Sequence, residues 1–201
     1  REARQVNRPH FRMAWAAAAL ALAPELATAE PKVTEKTNFY DLTGTTAEAV
    51  RADVRQKGPL GQNNRRFVGL TYTYVRYRFW YDGDNEACRV TNVVTEVDVT
   101  FTMPQWIDRD KATPDLQAKW DRFIAALWVH ERGHRDIGVE IARDIEKAIT
   151  DLGRLGKCST DFRDFIQGLA KAYLDDIQPR HDKYDRDTGH GRTQGAGLIL
   201  E

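Results

Sequence analysis

The sequence predicts an α+β domain in which a small antiparallel sheet packs on one long helix and a second helix. Two stretches rich in Thr, Tyr, Val and Phe come in the first half of the chain, and two stretches with helical periodicity come later. Strands gathered ahead of helices are typical of α+β folds, whereas α/β folds alternate the two. With 201 residues, 41% of them hydrophobic, the chain can form one domain with a sizeable core.

A short helix is the first predicted element, within TGTTAEAVRADVRQKGPLG. Thr45 or Thr46 is suited to cap its start, because a hydroxyl oxygen accepts a hydrogen bond from a backbone N–H of the first turn. Gly58 and Pro59 are predicted to end it.

Two long strands follow this helix. RRFVGLTYTYVRYRFWYD nearly alternates between apolar and polar residues, and CRVTNVVTEVDVTFTM repeats the pattern with valines before Pro104 ends it. The intervening Asp-Gly-Asp-Asn has the composition of a turn. The pair is therefore predicted to form an antiparallel hairpin.

A long helix is predicted to begin at Thr113. This residue can cap the helix, Pro114 suits the first helical position, and Asp115 lies near the positive end of the helix dipole. Gly153 and Gly156 are predicted to end it.

A further helix is predicted to begin at Ser159 or Thr160 and to end before Pro179. The remaining RHDKYDRDTGHGRTQGAGLILE is polar and glycine-rich, which is typical of a loop or a frayed tail.

The first 29 residues have the pattern of a secretory signal peptide. An arginine-rich start precedes the short apolar run MAWAAAALALAPELATA, which ends in Ala-Thr-Ala. We expect cleavage after Ala29, so that residues 30–201 form a single exported domain in the periplasm or outside the cell. The alternative is a retained N-terminal segment that is amphipathic or anchoring.

Removing four Arg and two Glu with this segment leaves 26 basic and 28 acidic residues of the original 30 and 30. This near-neutral charge argues against nucleic acid or an anionic membrane as the partner. Nothing after residue 29 resembles a membrane span. The sequence leaves the oligomeric state open.

Cys88 and Cys158 are the only cysteines. In an exported protein such a pair is expected to form a disulfide, which stabilises by roughly 4 kcal/mol on the chain-entropy model. Two free buried thiols are the alternative, and metal ligation lacks the usual C-x-x-C spacing.

The long helix contains an H-E-x-x-H motif made of His130, Glu131 and His134. At about 100° per residue, both histidines fall within the apolar stripe of this helix. The stripe comprises Phe123, Leu127, His130, His134, Ile137, Ile141, Ile145, Ala148 and Leu152. Both imidazoles are therefore predicted to point inward.

A bound zinc ion explains two inward histidines better than chance does. Each buried imidazole needs a partner, and residues at i and i+4 lie close enough to share one ion. Glu131 is rotated about 100° from His130 and is placed to reach a water on that ion, as the general base of H-E-x-x-H peptidases does.

Catalytic zinc sites use three protein ligands and one open position. Glu140 has a suggestive spacing, but a straight helix turns it to the solvent face. His190 is the preferred third ligand, because the glycines on both sides of it let the backbone approach another element. His181 and Asp185 are the alternatives, and spacing alone favours a plain tail histidine at His190.

The order of these features is similar to that of a bacterial family of predicted secreted Zn-dependent proteases, carried as a domain of unknown function. The shared features are the signal peptide, a hairpin with a Cys, Pro-Gln-Trp near the strand end, HERGHRDIG, a second Cys and the closing YDRDTGHG. HERGH is the most specific of them, and the resemblance covers nearly the whole mature chain. It implies a zincin-like fold and a peptidase. It also implies that His190, Tyr184 and Asp185 have a functional role and are more than tail residues.

Together these features predict an exported zinc-dependent peptidase. His130, His134 and His190 are expected to hold Zn²⁺, with Glu131 as the general base. Tyr184 is a candidate donor to the oxyanion.

The expected substrate is a peptide or protein, which in extended form would pair with edge-strand backbone near residues 97–103. One rival interpretation is a non-catalytic, zinc-stabilised binding or assembly protein of the cell envelope. Another is an interaction domain without metal, in which the motif is a coincidence.

Overall fold

The computed structural model describes residues 30–61, 64–84 and 86–197. The predicted signal peptide and residues 198–201 lie outside the described residues. A mixed sheet packs against helices, which confirms the predicted α+β class. The elements in chain order are β1 (Lys32–Leu42), α1 (Ala47–Lys57), β2 (Leu70–Gly83), β3 (Cys88–Trp106), α2 (Pro114–Thr150), β4 (Arg154–Leu155), α3 (Thr160–Asp175) and α4 (Ile177–Thr188).

The predicted hairpin is present, since β3 pairs antiparallel with β2 from one end of β2 to the other. β1, which the sequence analysis did not identify, pairs with β3 in parallel, and the short β4 pairs with the start of β3. The sheet is therefore mixed, in the order β1-β3-β2.

The central position of β3 contradicts one prediction. Val97 pairs with Val33 of β1 on one side and Val75 of β2 on the other, and residues 97–102 are paired on both sides, so they offer no free edge to a substrate. Among the described strands, β1 and β2 each have one unpaired edge instead.

α2 begins as predicted, with the Thr113 hydroxyl accepting a hydrogen bond from the Leu116 N–H and Pro114 in the first turn. It ends at Thr150, slightly before the predicted glycines, which lie at positive φ in the turns around β4. Its apolar stripe packs on the inner face of the sheet. The core between them includes Val97, Val99, Phe101, Met103, Ile141, Ile145 and Ile149.

Residues 180–188 of the polar segment after Pro179 are helical and do not form the predicted loop or tail. α4 is supported by side-chain pairs four residues apart, such as Lys183 with Asp187, and it ends at Gly189 in the left-handed conformation. Arg180 pairs with Asp144 of α2 at 3.2 Å. Later residues of α4 contact earlier residues of α2, so the two helices run antiparallel.

Cys88 and Cys158 form the predicted disulfide, with an S–S distance of 2.07 Å. The bond joins the start of β3 to the residues just before α3. In the described ranges, no helix has the length and apolarity that a membrane span requires.

Candidate metal centre

His130 and His134 lie on consecutive turns of α2 and point into the protein, as the helical periodicity predicts. They are 5% and 9% exposed. Gly133 lies between them, and a Cβ there would approach the Tyr184 hydroxyl to 2.1 Å. A glycine is therefore required where α4 crosses α2, and the Tyr184 ring stacks on His130 with centroids 5.1 Å apart.

Asp185 of α4 faces both histidines. Its Oδ1 lies 3.2 Å from Nε2 of His130 and 3.1 Å from Nε2 of His134. One ligand atom from each of the three residues falls within 4.8 Å of the other two, which is close enough for all of them to bind one ion. The structure therefore contains a candidate metal-binding triad.

The electrostatics of this triad favour a cation. Burial by itself would raise the pKa of Asp185, but hydrogen bonds with His130 and His134 hold it well below its usual range. Burial by itself would lower the pKa of His130, but Asp185, Glu131 and Gln194 together raise it. An ionised carboxylate thus lies where a positive charge is stabilised.

Each histidine of the triad has a partner at its other ring nitrogen. Nδ1 of His130 lies 3.0 Å from Oε1 of Gln194, and Nδ1 of His134 lies 2.9 Å from Nδ1 of His181. His181 in turn has its Nε2 3.1 Å from the Thr73 hydroxyl on β2. Burial and the neighbouring His134 lower the pKa of His181 to about 4, so this ring is neutral near pH 7.

Glu131 is 3% exposed and lies beside the triad. The Thr71 hydroxyl donates a 2.6 Å hydrogen bond to its Oε2. Gly69 passes so close that a Cβ there would be 2.5 Å from Oε1. Burial raises the pKa of Glu131 above its usual value, an effect that the Thr71 hydrogen bond and the two histidines oppose.

His190, the preferred third ligand of the sequence analysis, is next to the triad. Its Nδ1 lies 3.4 Å from Oδ2 of Asp185, and its side chain is 53% exposed. Its φ of 54° lies in the left-handed region, which is uncommon for a residue with a side chain. The structure thus brings Asp185, one of the two alternatives, to the histidines, and a ligand role for His190 stays a prediction.

Tyr184 lies behind the histidines. Its hydroxyl donates to the His130 carbonyl oxygen at 3.3 Å and accepts from Nε2 of Gln194 at 2.9 Å. Its side chain is absent from the walls of the cavity described below. These contacts anchor α4 to α2. They do not favour Tyr184 as the donor to the oxyanion, a role that stays a prediction.

A cavity of about 500 Å³ opens beside the triad. Its lining comes from β2, from α2 and from the first turns of α4. Both apolar residues, such as Phe67, and polar residues, such as His181, line it. The lining also includes Thr71, Thr73, Leu127, Gln178, Asp182, His190 and Ala196.

Three residues of the site were not identified from sequence, namely Thr71, Thr73 and Gln194. A different signal was available for α4, because His181, Tyr184, Asp185 and Thr188 follow the i, i+3, i+4, i+7 spacing of one helix face. This face is polar, so hydrophobic periodicity does not reveal it.

Residues 37–191 match a bacterial protein family described as a bacterial protein of unknown function, DUF922. The description is consistent with the family resemblance noted above but mentions neither zinc nor proteolysis. No curated protein and no solved structure gives a significant match.

Proposed function

The chain belongs to the bacterial family DUF922, whose function is unknown, and we propose that it is an exported zinc metallopeptidase. The observation that carries the proposal is a buried general-base candidate, Glu131, next to a triad of two imidazoles and one carboxylate at the wall of a cavity. Export is proposed from the signal-peptide pattern of residues 1–29.

His130, His134 and Asp185 are the proposed ligands. Zinc–ligand bonds of 2.0–2.2 Å place the donor atoms of a tetrahedron about 3.3 Å apart. The two separations from Oδ1 of Asp185, 3.2 and 3.1 Å, are close to this value. The same donors also suit Fe(II), and we favour zinc because H-E-x-x-H is the arrangement of hydrolytic zinc sites.

When bound, zinc lowers the pKa of a coordinated water toward 7 and polarises the substrate carbonyl. Glu131 accepts the proton of the attacking water and delivers it to the amine nitrogen when the peptide bond breaks. The hydroxyl adds to the carbonyl carbon, so one acid and one amine result from each water consumed.

The environment of Glu131 suits this role. A general base is most effective when its pKa lies nearer the working pH than that of an exposed carboxylate, and burial moves it in that direction. The Thr71 hydrogen bond holds one oxygen, which limits the rotation of the carboxylate. The close approach of Gly69 restricts the other oxygen.

β2 is the proposed substrate-binding strand. Residues 70–73 line the cavity, and one edge of β2 pairs with no other described strand. An extended peptide can add to such an edge through backbone hydrogen bonds, which accommodates many sequences. The cavity volume is within the range typical of ligand sites.

The direct test compares Glu131→Gln with the wild type. Glutamine keeps the shape of the side chain but cannot accept the proton, so cleavage of an unfolded protein substrate should fall by about 10²- to 10⁴-fold while zinc content is unchanged. Glu140→Gln is the matched control, since Glu140 lies on the exposed face of the same helix. It should retain full activity.

Two outcomes would contradict the proposal. Equal cleavage rates for Glu131→Gln and the wild type would exclude Glu131 as the base. A wild-type protein that holds zinc but cleaves none of a broad set of unfolded substrates would favour the non-catalytic alternative.

A further inference from the structure

We propose that His181 is a positioning residue for the metal centre, acting by accepting the Nδ1 proton of His134. The inference rests on the proposed metal site and extends it to a second layer of residues. It assigns no metal-binding role to His181 itself.

The argument begins with the proton of His134. A neutral imidazole carries one N–H, on either Nδ1 or Nε2. Nε2 of His134 faces Asp185 at 3.1 Å and is the atom available to a metal. Binding through Nε2 therefore places the proton on Nδ1.

That proton needs an acceptor, because His134 is buried and water does not surround it. The neighbour of His134 Nδ1 is His181 Nδ1, 2.9 Å away. The two nitrogens can share only one proton. When His134 donates it, His181 must carry its own proton on Nε2.

Thr73 completes the arrangement. Its hydroxyl oxygen lies 3.1 Å from His181 Nε2, so it can accept the remaining N–H. The His181 ring is thus held at both nitrogens, between α2 and the inner face of β2. Thr73 is fixed in turn by Gly138 of α2, where a Cβ would lie 3.0 Å from the Thr73 Cβ.

The partner of His130 provides a comparison. Gln194 donates its Nε2–H to Tyr184, which leaves Oε1 as the acceptor for His130 Nδ1–H. Both histidines therefore have an acceptor that favours the Nδ1–H tautomer. Of these two hydrogen-bond networks, only the one that starts at His134 reaches β2, the strand that we propose binds substrate.

The test measures zinc affinity by competition with a chromophoric chelator. His181→Phe keeps a ring but removes the acceptor, and we expect zinc binding to weaken by about 10- to 100-fold. His181→Asn keeps an acceptor oxygen near the position of Nδ1 and should recover most of the affinity. Thr73→Val should give a smaller loss in the same direction.

Unfolding of the metal-free proteins separates positioning from general stability. We expect the zinc affinity of the variants to follow the presence of an acceptor and not the unfolding midpoint of the metal-free form. Visible absorption of the Co²⁺-substituted proteins should shift in His181→Phe and return toward the wild type in His181→Asn.

Several results would overturn the inference. Zinc affinity equal to the wild type in His181→Phe would do so, as would equal losses in His181→Asn and His181→Phe. If His181→Phe does not fold, His181→Asn and Thr73→Val still test the inference. Unchanged zinc affinity in Thr73→Val together with a full loss of zinc affinity in His181→Asn would contradict the inference. A wild type that binds no zinc would remove the proposed function and this inference together, whereas the other outcomes leave the proposed function intact.

Discussion

Replacing Gly133 with alanine should disrupt the site although alanine is the better helix former. Gly133 lies in the interior of α2, where glycine costs about 1 kcal/mol relative to alanine. It also lies where the Tyr184 ring of α4 contacts α2. The substitution therefore sets helix propensity against packing.

The structure gives the size of the packing effect. The new Cβ would lie 2.1 Å from the Tyr184 hydroxyl oxygen, against 3.4 Å for an ordinary contact, so the side chain must retreat by about 1.3 Å. Its two hydrogen bonds, each contributing about 1 kcal/mol, would be lost or weakened. Overpacking adds about 1–3 kcal/mol. After subtracting the propensity gain, we expect a net destabilisation of about 2–4 kcal/mol when both hydrogen bonds are lost.

The metal centre should be affected more than the fold. Asp185 follows Tyr184 directly, and metal–ligand distances tolerate only about 0.2 Å. Zinc affinity should therefore fall by at least about tenfold, and cleavage should fall with it.

The assay combines denaturant unfolding with zinc titration on two single variants and on Gly133→Ala in a Tyr184→Ala background, with Tyr184→Ala alone as its reference. Gly168→Ala is the matched control, because Gly168 lies in α3 and a Cβ there meets nothing within 4 Å. It should stabilise by about 0.5–1 kcal/mol. In a Tyr184→Ala background, Gly133→Ala should no longer destabilise. If Gly133→Ala instead stabilises like Gly168→Ala and binds zinc normally, the packing argument is wrong.

Two further predictions concern Glu131 and the disulfide. Gly69→Ala should push the Glu131 carboxylate aside and lower turnover by about 10²-fold with zinc content unchanged. Cleavage rates and metal analysis measure the two effects. An undiminished cleavage rate would show that Glu131 tolerates the displacement. Replacing Cys88 and Cys158 with serine should lower the free energy of unfolding by roughly 4 kcal/mol. Zinc affinity should not change, because Cys88 is some eleven residues along β3 from Val99, the residue that pairs with Thr73 of the site. A weakened zinc site would show that the disulfide shapes it.

Local rules predicted much of the fold. The hairpin, the disulfide, the Thr113 cap and the inward direction of both histidines follow from alternation, cysteine pairing, capping and the helical period. Each of these depends on residues that are close in sequence or on a single pair.

The missed features depend on packing between distant segments. α4 has few apolar residues, and only Thr188 of it is buried, so hydrophobic periodicity cannot reveal it. The proximity of Asp185 to His134 arises from the antiparallel packing of α4 on α2. β1 was missed because much of it is exposed and polar.

β2 has one role that its contacts show and a second role that we propose. Its inner face holds the site through Thr71 on Glu131 and Thr73 on His181. Its edge is the proposed place for substrate. Substrate binding would then act on a strand that already fixes the base and, through His181, one of the metal ligands.

Zinc content by mass spectrometry, after reconstitution of the wild type, Asp185→Ala and His190→Ala, shows whether the triad holds the metal. We expect one zinc per chain in the wild type and in His190→Ala, and little in Asp185→Ala. A wild type without zinc would contradict the metal centre itself. Loss of zinc in His190→Ala with retention in Asp185→Ala would make His190 the third ligand in place of Asp185.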